Sequence, residues 1–285
     1  MKKLTIYGLP LNPMRLLDQL KGASFCVSYA TREKLGAQLD QAIELVGPDQ
    51  MLLVDNGAFS LHKRGVSTMD ESYFDGFEEW AGDILDRCPQ AVAVVPDVIG
   101  GTEEQNAEMA LQCWLDHDRC MAVWHMHESV EYLLYLCESF GYVGIGSSGD
   151  YWKVGTKKWH ARLTEALDAV TRWEAESEGA YVRPRIHLMR AQSMAHLYAV
   201  DSSDSTNVAM NHGRYRHEGD GHVERFARRL DRKIQASAGP EAEHQIKRPL
   251  LDHLETQHGK LVRLLEAAGY VVTIDAEPGE LRQAA

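Results

Sequence analysis

The sequence predicts an α/β fold and, within that class, a single closed (β/α)8 (TIM) barrel. Three observations support this prediction. Apolar segments of strand length alternate with longer amphipathic segments, no GxGxxG motif follows the first strand, and nearly every strand ends in a polar residue or a glycine. Continuous apolar strands are typical of a parallel sheet covered by helices on both faces. The alternative is a doubly wound open sheet, but only a barrel gathers all strand ends at one mouth.

Seven strand-then-helix units can be counted along the chain. The predicted strands cover residues 25–30, 51–55, 91–95, 121–124, 142–146, 185–189 and 197–200. The eighth strand is either 207–210 or 270–274. Residues 1–235 are predicted to form the catalytic barrel, and 236–285 to form a linker and a helix (about 248–268) that packs on the barrel.

Composition limits the class of protein. The chain has 285 residues, of which 44% are hydrophobic, enough for one barrel-sized domain. No apolar run is long enough to span a membrane, and the apolar stretch at the N-terminus is too short for a signal peptide. We therefore expect a cytoplasmic protein without a membrane partner. The five cysteines are scattered and form no CxxC pair, which argues against a disulfide framework and a four-cysteine zinc site.

The charge of the chain bears on nucleic acid as a partner. The formal net charge is −12, so a nucleic acid would need a local positive patch. One candidate is the run 225–233, which contains Arg228 and Arg229, and a second is the stretch 153–162. Both are also consistent with ordinary solvated helix faces.

Two predicted strands end in aspartate. Asp55 is followed by Asn56 and Gly57, and glycine allows the backbone to approach a ligand closely. A simple Asx turn is the structural alternative. Asp97 repeats the arrangement one unit later. Like charges brought together spread their pKa values, which can provide one site with both an acid and a base.

Two further strand ends carry candidate groups. Asp201 and Asp204 lie in the sequence VDSSDSTN at 200–207, and an aspartate can attack an anomeric carbon to form a glycosyl intermediate. The alternative is a helix cap. The glycine-rich segment at 144–150 includes Gly146 and Ser147, whose backbone suits a planar base or a phosphate. It could equally be a plain turn.

Histidines are the remaining candidates. His125 and His127 are two residues apart, so they would face the same way in a strand. No tight ligand spacing such as HExxH accompanies them or the histidines at 212–222, so no metal and no cofactor are predicted. Contact with substrate or phosphate is the preferred interpretation.

Taken in order, the strand-end segments resemble those of the tRNA-guanine transglycosylase superfamily. VDNGAFS at 54–60 is similar to its TDSGGFQ segment, VPD at 95–97 to the strand end with its base-recognising aspartate, and GIGSSG at 144–149 to its base-binding loop. RIHLM at 185–189 resembles its YLMG strand, and VDSSDS at 200–205 its VDMFDC segment. The resemblance covers residues 25–215 and implies that Asp204 is the nucleophile, Asp55 the acid/base and Asp97 the base reader.

The chain also departs from the tRNA enzymes of that superfamily. It lacks their Cys/His zinc subdomain, and VWHMH at 123–127 replaces their Val-Gln-Gly strand end. It looks more like the phage and bacterial branch that inserts 7-deazaguanines into DNA, which implies a host-cell cytoplasm if phage-encoded. The expected partners are guanine sites in DNA and a free 7-deazaguanine base, with a homodimer as a further option. The remaining expected contacts are Asn56, Gly57, His125, His127, Gly146, Ser147, Met189 and Asp201 to the base, and Ser205, Arg214, Arg216, Arg228 and Arg229 to DNA.

Overall fold

The computed structural model describes residues 3–65 and 71–235, together with two short strands near the C-terminus. The chain divides into two compact units, Met1–Ser237 and Ala238–Ala285. The linker and helix predicted between residues 236 and 268 lie outside the described residues.

The first unit is a closed barrel of eight parallel strands, so the predicted (β/α)8 TIM barrel is confirmed. The strands are Leu4–Gly8 (β1), Ser24–Ser28 (β2), Leu52–Asp55 (β3), Ala91–Val94 (β4), Cys120–His125 (β5), Tyr142–Gly146 (β6), Arg185–Leu188 (β7) and Ser202–Ser205 (β8). They follow one another in chain order around the barrel, and β8 pairs with β1 to close it.

The structure corrects the predicted eighth strand. The missing strand is β1 at the N-terminus, and residues 207–210 belong to a helix. Tyr270–Val271 (β9) pairs instead with Arg282–Gln283 (β10), antiparallel, in a separate two-stranded sheet. The prediction of a strand at 197–200 was also wrong, because the polar segment Ser202–Ser205 takes that place. An apolar pattern could not reveal β8, since its inward side chains face the polar mouth of the barrel.

Helices follow most of the strands. They are Arg32–Leu35 (α1), Gln38–Leu45 (α2), Ala58–Lys63 (α3), Glu71–Arg87 (α4), Glu103–Gln112 (α5), Val130–Ser139 (α6), Lys157–Glu176 (α7), Asn207–Asn211 (α8) and His222–Gln235 (α9). Hydroxyl side chains cap three of them, as Thr102, Ser129 and Thr156 accept hydrogen bonds from the first turns of α5, α6 and α7. In the part of the chain that the structure describes, no helix combines the length and apolar character needed to cross a bilayer.

The core has two parts that together position the site. The larger part lies between the barrel and its helices. The smaller part fills the barrel interior and includes Ile6, Leu53, Val94, Met121 and Val123. Because side chains alternate along a strand, Leu53 and Val123 are followed on the inward face by the polar residues Asp55 and His125. The barrel therefore presents a polar mouth above an apolar floor.

Candidate active site

A cavity of about 480 Å³ opens at the carboxyl ends of the strands, where barrel enzymes have their active sites. This volume suits a small ligand. Its walls include Asp55, Phe59, Asp97, His125, Met189 and Arg190. The structure thus brings together residues from β3, β5 and the segments after β4 and β7, as the resemblance implies.

Asp55 is the last residue of β3 and lines the cavity. Burial raises its pKa above the usual value, and the negative charges of Asp97 and Asp204 add to this effect. The Ser28 hydroxyl, which lies opposite Asp55 in the register of β2 and β3, and the nearby Arg190 act in the other direction. A carboxyl group with a raised pKa can hold a proton and later release it.

Gly57 connects Asp55 to α3 through a left-handed backbone with φ of +81°. A Cβ atom at this position would lie 2.7 Å from both the Ala30 Cβ and the Tyr73 hydroxyl. Glycine is therefore required here on two counts, the backbone conformation and the space. It allows β3 to turn into α3 with Asp55 held at the mouth.

We expect Gly57→Ala to destabilise the protein more than Gly22→Ala. Gly22 has a similar φ of +77°, but a Cβ added there would meet no atom within 4 Å, so this variant measures backbone strain alone. That strain costs about 1 kcal/mol, and overpacking at Gly57 adds about 1–3 kcal/mol. The free energies of unfolding in urea measure the difference, and equal values for both variants would contradict the packing argument.

Asp204 lies on β8 and is held in place by β7 and the loop after it. Its Oδ1 accepts hydrogen bonds from Nε2 of His187 at 3.2 Å and from the backbone N–H of Arg190 at 2.6 Å. Burial acts to raise the pKa of Asp204, but the hydrogen bond and charge of His187, together with Arg190, outweigh burial and lower it. The side chain keeps 14% of its exposure. The lowered pKa favours the ionised form of Asp204, and the carboxylate lies next to Arg190, which lines the cavity.

His187 orients this carboxylate from inside the barrel. Its side chain is fully buried, and its ring is fixed by two hydrogen bonds, from Nδ1 to the Ser202 hydroxyl at 2.8 Å and from Nε2 to Asp204. Sequence reasoning missed this residue. The signal was available, because His187 lies two positions before Met189 and must share its inward face.

We expect His187→Phe to raise the pKa of Asp204 toward the usual value of an aspartate or above it. The substitution removes the donor that stabilises the charged carboxylate, so protonation occurs at higher pH. His187→Gln keeps an N–H group and should restore part of the effect. The measurement is an NMR titration of the aspartate carboxyl carbons, assigned by comparison with Asp204→Asn. An unchanged titration in His187→Phe would contradict the role assigned to His187.

Each of the two carboxylate oxygens of Asp97 accepts a hydrogen bond from a neighbouring side chain. Nδ2 of Asn56 donates to its Oδ1 at 2.7 Å, and Nε2 of His125 donates to its Oδ2 at 3.0 Å. Burial acts to lower the pKa of His125, but Asp97 and Glu128 outweigh burial and raise it. A carboxylate has about four lone-pair sites. Asp97 can therefore accept further hydrogen bonds from a ligand.

A buried network fixes the loop that carries Asp97. Asn106 accepts a hydrogen bond from the Val98 N–H at 2.7 Å and donates to Oε1 of Glu128 at 2.6 Å. The other Glu128 oxygen accepts from the backbone N–H of His125 at 2.7 Å. Asn56 has the same kind of role, since it also donates to Val95 O and accepts from Ala58 N. The predicted base contact at Asn56 is thus, in the structure, a residue that orients Asp97.

Three predicted contacts have side chains engaged elsewhere. Both ring nitrogens of His127 are bonded, to the Ser148 hydroxyl at 2.8 Å and to Gly101 O at 2.9 Å, and the residue does not line the cavity. The Ser147 hydroxyl accepts from Nε1 of Trp159, and the Ser205 hydroxyl accepts from Asn207 N. Ser147 still lines the cavity. Gly146 lies against the ring of His125, where a Cβ would be 3.2 Å from Nδ1.

Asp201 is placed at the opposite end of the barrel, which corrects its predicted role in the site. Its carboxylate accepts hydrogen bonds from Arg183 at 2.9 Å and from Ile186 N at 2.8 Å, before β8 begins. It lines a groove of about 740 Å³ at the amino ends of the strands. This groove is larger than the cavity at the mouth, but it lies at the other end of the barrel, and its carboxyl groups are Asp49, Asp201, Glu224 and Asp231. The spacing of three residues along an extended strand separates Asp201 from Asp204.

The predicted DNA-binding arginines differ in their surroundings. Arg214 and Arg216 lie exposed in the connection between α8 and α9. Arg228 lines the groove at the other end and forms an ion pair with Glu224. Arg229 pairs with Glu218 at 3.1 Å and stacks on an aromatic ring. Arg228 thus lies at the end of the barrel opposite the cavity, Arg229 contacts groups within the protein, and DNA contact by either residue stays a prediction.

Cys26 and Trp152 are two further residues near the mouth that sequence reasoning did not select. Cys26 is an inward residue of β2, and burial together with Asp55 and Asp204 raises its pKa, which disfavours a thiolate. Trp152 is 71% exposed although it lines the cavity.

Across residues 3–65 and 71–235, no group of three or more His, Cys, Asp or Glu side chains is arranged to hold a metal ion.

Comparison with known proteins shows that the structure of this chain is similar to several solved structures. A tryptophan synthase structure from M. tuberculosis is 15% identical with a TM-score of 0.44, covering 84% of this chain and 94% of that one. Tryptophan synthase subunit alpha from Legionella pneumophila is 12% identical with a TM-score of 0.47, covering 83% and 92%. N-acetylneuraminate lyase from Mycoplasma synoviae is 10% identical with a TM-score of 0.40, covering 79% and 78%. No protein-family model and no curated protein matches the chain.

Proposed function

We propose that the protein is a pentosyltransferase, a DNA guanine transglycosylase that exchanges guanine for 7-cyano-7-deazaguanine or a related base. The observation that carries this proposal is a pair of carboxyl groups at one barrel mouth with pKa values displaced in opposite directions. The pKa of Asp204 is lowered and that of Asp55 is raised. A nucleophile acts in its ionised form and a proton donor in its protonated form, and each of the two pKa shifts favours the form that its residue needs.

In the first half of the reaction, Asp204 attacks C1′ of a deoxyguanosine. Among the described residues, the hydrogen bonds to this carboxylate fall on Oδ1, which leaves Oδ2 as the attacking atom. The C1′–N9 bond breaks as the C1′–O bond forms, and its electron pair leaves with guanine. Asp55 donates its proton to the departing base. The product is a covalent glycosyl ester on Asp204, of the kind formed by retaining glycosidases.

In the second half, the incoming 7-deazaguanine occupies the cavity and Asp55 removes its ring N–H proton. The freed nitrogen attacks C1′, the ester bond breaks, and Asp204 is released as a carboxylate. Asp55 ends protonated, as it began. Each proton and electron pair is returned, so the exchange needs no cofactor.

The walls of the cavity suit a purine or deazapurine. Asp97 can accept hydrogen bonds from the base N1–H and exocyclic amine through the lone pairs that Asn56 and His125 leave free. Phe59 and Met189 supply apolar surface for a planar ring. C1′ in a duplex is out of reach, so the nucleotide must flip out or come from a single strand.

The proposal is tested by incubating the protein with guanine-containing DNA and labelled 7-cyano-7-deazaguanine. We expect label in the DNA and release of one guanine for each base incorporated, measured by nucleoside analysis. Abasic sites without incorporation would point to a DNA N-glycosidase, in which water resolves the same ester. Tight base binding with neither product would point to a nucleobase-binding barrel. Both outcomes would overturn the transglycosylase assignment.

A further inference from the structure

Arg190 follows β7 in a conformation that side chains rarely adopt. Its φ is +56°, in the left-handed region, where a non-glycine residue is uncommon and costs free energy. This conformation directs the Arg190 N–H at Oδ1 of Asp204. The backbone strain is thus tied to the site and is offset by a charge-assisted hydrogen bond to the carboxylate.

The side chain of Arg190 occupies the cavity. Its Cζ lies 3.2 Å from the centroid of the Phe59 ring, in contact with one of the aromatic surfaces that a base could stack on. Lys63 is also near this ring, but its Nζ is 5.0 Å from the centroid. Arg190 lines the cavity whereas Asp204 does not. A planar base and the planar guanidinium therefore compete for the same face.

Within residues 3–65 and 71–235, the Arg190 guanidinium takes part in no ion pair and no side-chain hydrogen bond, and it lies against the Phe59 ring. It does interact through charge with Asp204, Asp55 and Asp97. Its five N–H donors are thus available to a ligand, and their fork geometry matches a phosphate group.

We propose that Arg190 covers the stacking face of Phe59 in the free protein and, when a purine displaces it, binds the phosphate of the nucleotide that enters the cavity. This proposal rests on the proposed function. It adds that Arg190 weakens the binding of one substrate, the free base, and strengthens the binding of the other, the DNA. Arg190 competes with a free base, which carries no phosphate. It assists a DNA nucleotide, whose phosphate gives the displaced guanidinium a partner.

The test compares Arg190→Ala and Arg190→Gly with Arg185→Ala. Arg185 begins the strand that Arg190 follows, but it lies over Tyr142 and lines the groove at the amino ends. It therefore controls for the loss of one positive charge. Thermal unfolding confirms that each variant is folded, and glycine tolerates the left-handed backbone.

Calorimetry with guanine should give about tenfold tighter binding in both Arg190 variants than in the wild type. Binding of single-stranded DNA should weaken by about tenfold. The slope of log K against log salt concentration should become shallower by about one, as expected for one lost phosphate contact. Arg185→Ala should leave guanine binding unchanged. If Arg190 had only a structural role, its variants would bind both guanine and single-stranded DNA more weakly. Unchanged or weaker guanine binding in the Arg190 variants would overturn the proposal while leaving the transglycosylase intact, whereas a wild type that binds no purine would overturn both.

Discussion

We expect Asp204→Asn protein to form no covalent adduct with guanine-containing DNA, and its base exchange to fall by about 10⁴-fold or more. The amide keeps the size of the side chain but lacks the charge that attacks C1′. His187 and Arg190 N can still donate hydrogen bonds to the amide oxygen, so the fold of the site is expected to persist. The adduct is measured by denaturing electrophoresis of labelled DNA after trapping.

Asp201→Asn is the matched control for this experiment. The two aspartates are three residues apart in the sequence, but Asp201 is bound to Arg183 and Ile186 N at the other end of the barrel. The control should retain exchange within a few-fold of the wild type. An adduct that survives in Asp204→Asn but is lost in Asp201→Asn would show that the nucleophile is assigned to the wrong residue.

Asp55→Asn is expected to lower base exchange by about 10²–10⁴-fold, the usual contribution of a positioned acid or base. The amide cannot protonate the departing guanine or take the proton from the incoming base. The amide is neutral like the protonated carboxyl group that it replaces, and Asp204 keeps its hydrogen bonds from His187 and Arg190 N. The adduct should therefore still form, but slowly, and a leaving group that needs no proton should restore its formation.

The pH dependence separates the two aspartates. The first half of the reaction needs Asp204 ionised and Asp55 protonated. Activity therefore rises with pH through the lowered pKa of Asp204 and falls with pH through the raised pKa of Asp55. In Asp55→Asn the decline at higher pH should disappear while the acid limb remains. A decline that persists unchanged in this variant would contradict the assignment of Asp55 as the proton donor.

Much of the site could be predicted because its residues lie at the ends of apolar strands. The periodicity of the strands and helices indicated a barrel, and a barrel brings its strand ends to one mouth. The resemblance then gave Asp55, Asp97 and Asp204 distinct roles. Asp55 and Asp97 do line one cavity, and Asp204 lies beside it under Arg190.

Other features of the site depend on contacts that no pattern along the chain displays. The polar strand β8 and the short strand β1 could be recognised only from their pairing, because hydrophobicity marks burial and not hydrogen bonding. His187 and Arg190 act through residues that are 14 to 17 positions away in the chain.

The sequence by itself therefore determined the barrel, the end of it at which we propose the active site, and the carboxylates available there. Only the tertiary structure decided between Asp201 and Asp204, since three residues of extended chain place one at the amino end of β8 and the other at the mouth. It also decided the direction of each pKa shift. That direction depends on the partners that the closed barrel places around each carboxyl group, His187 and Arg190 for Asp204, and burial with neighbouring negative charge for Asp55.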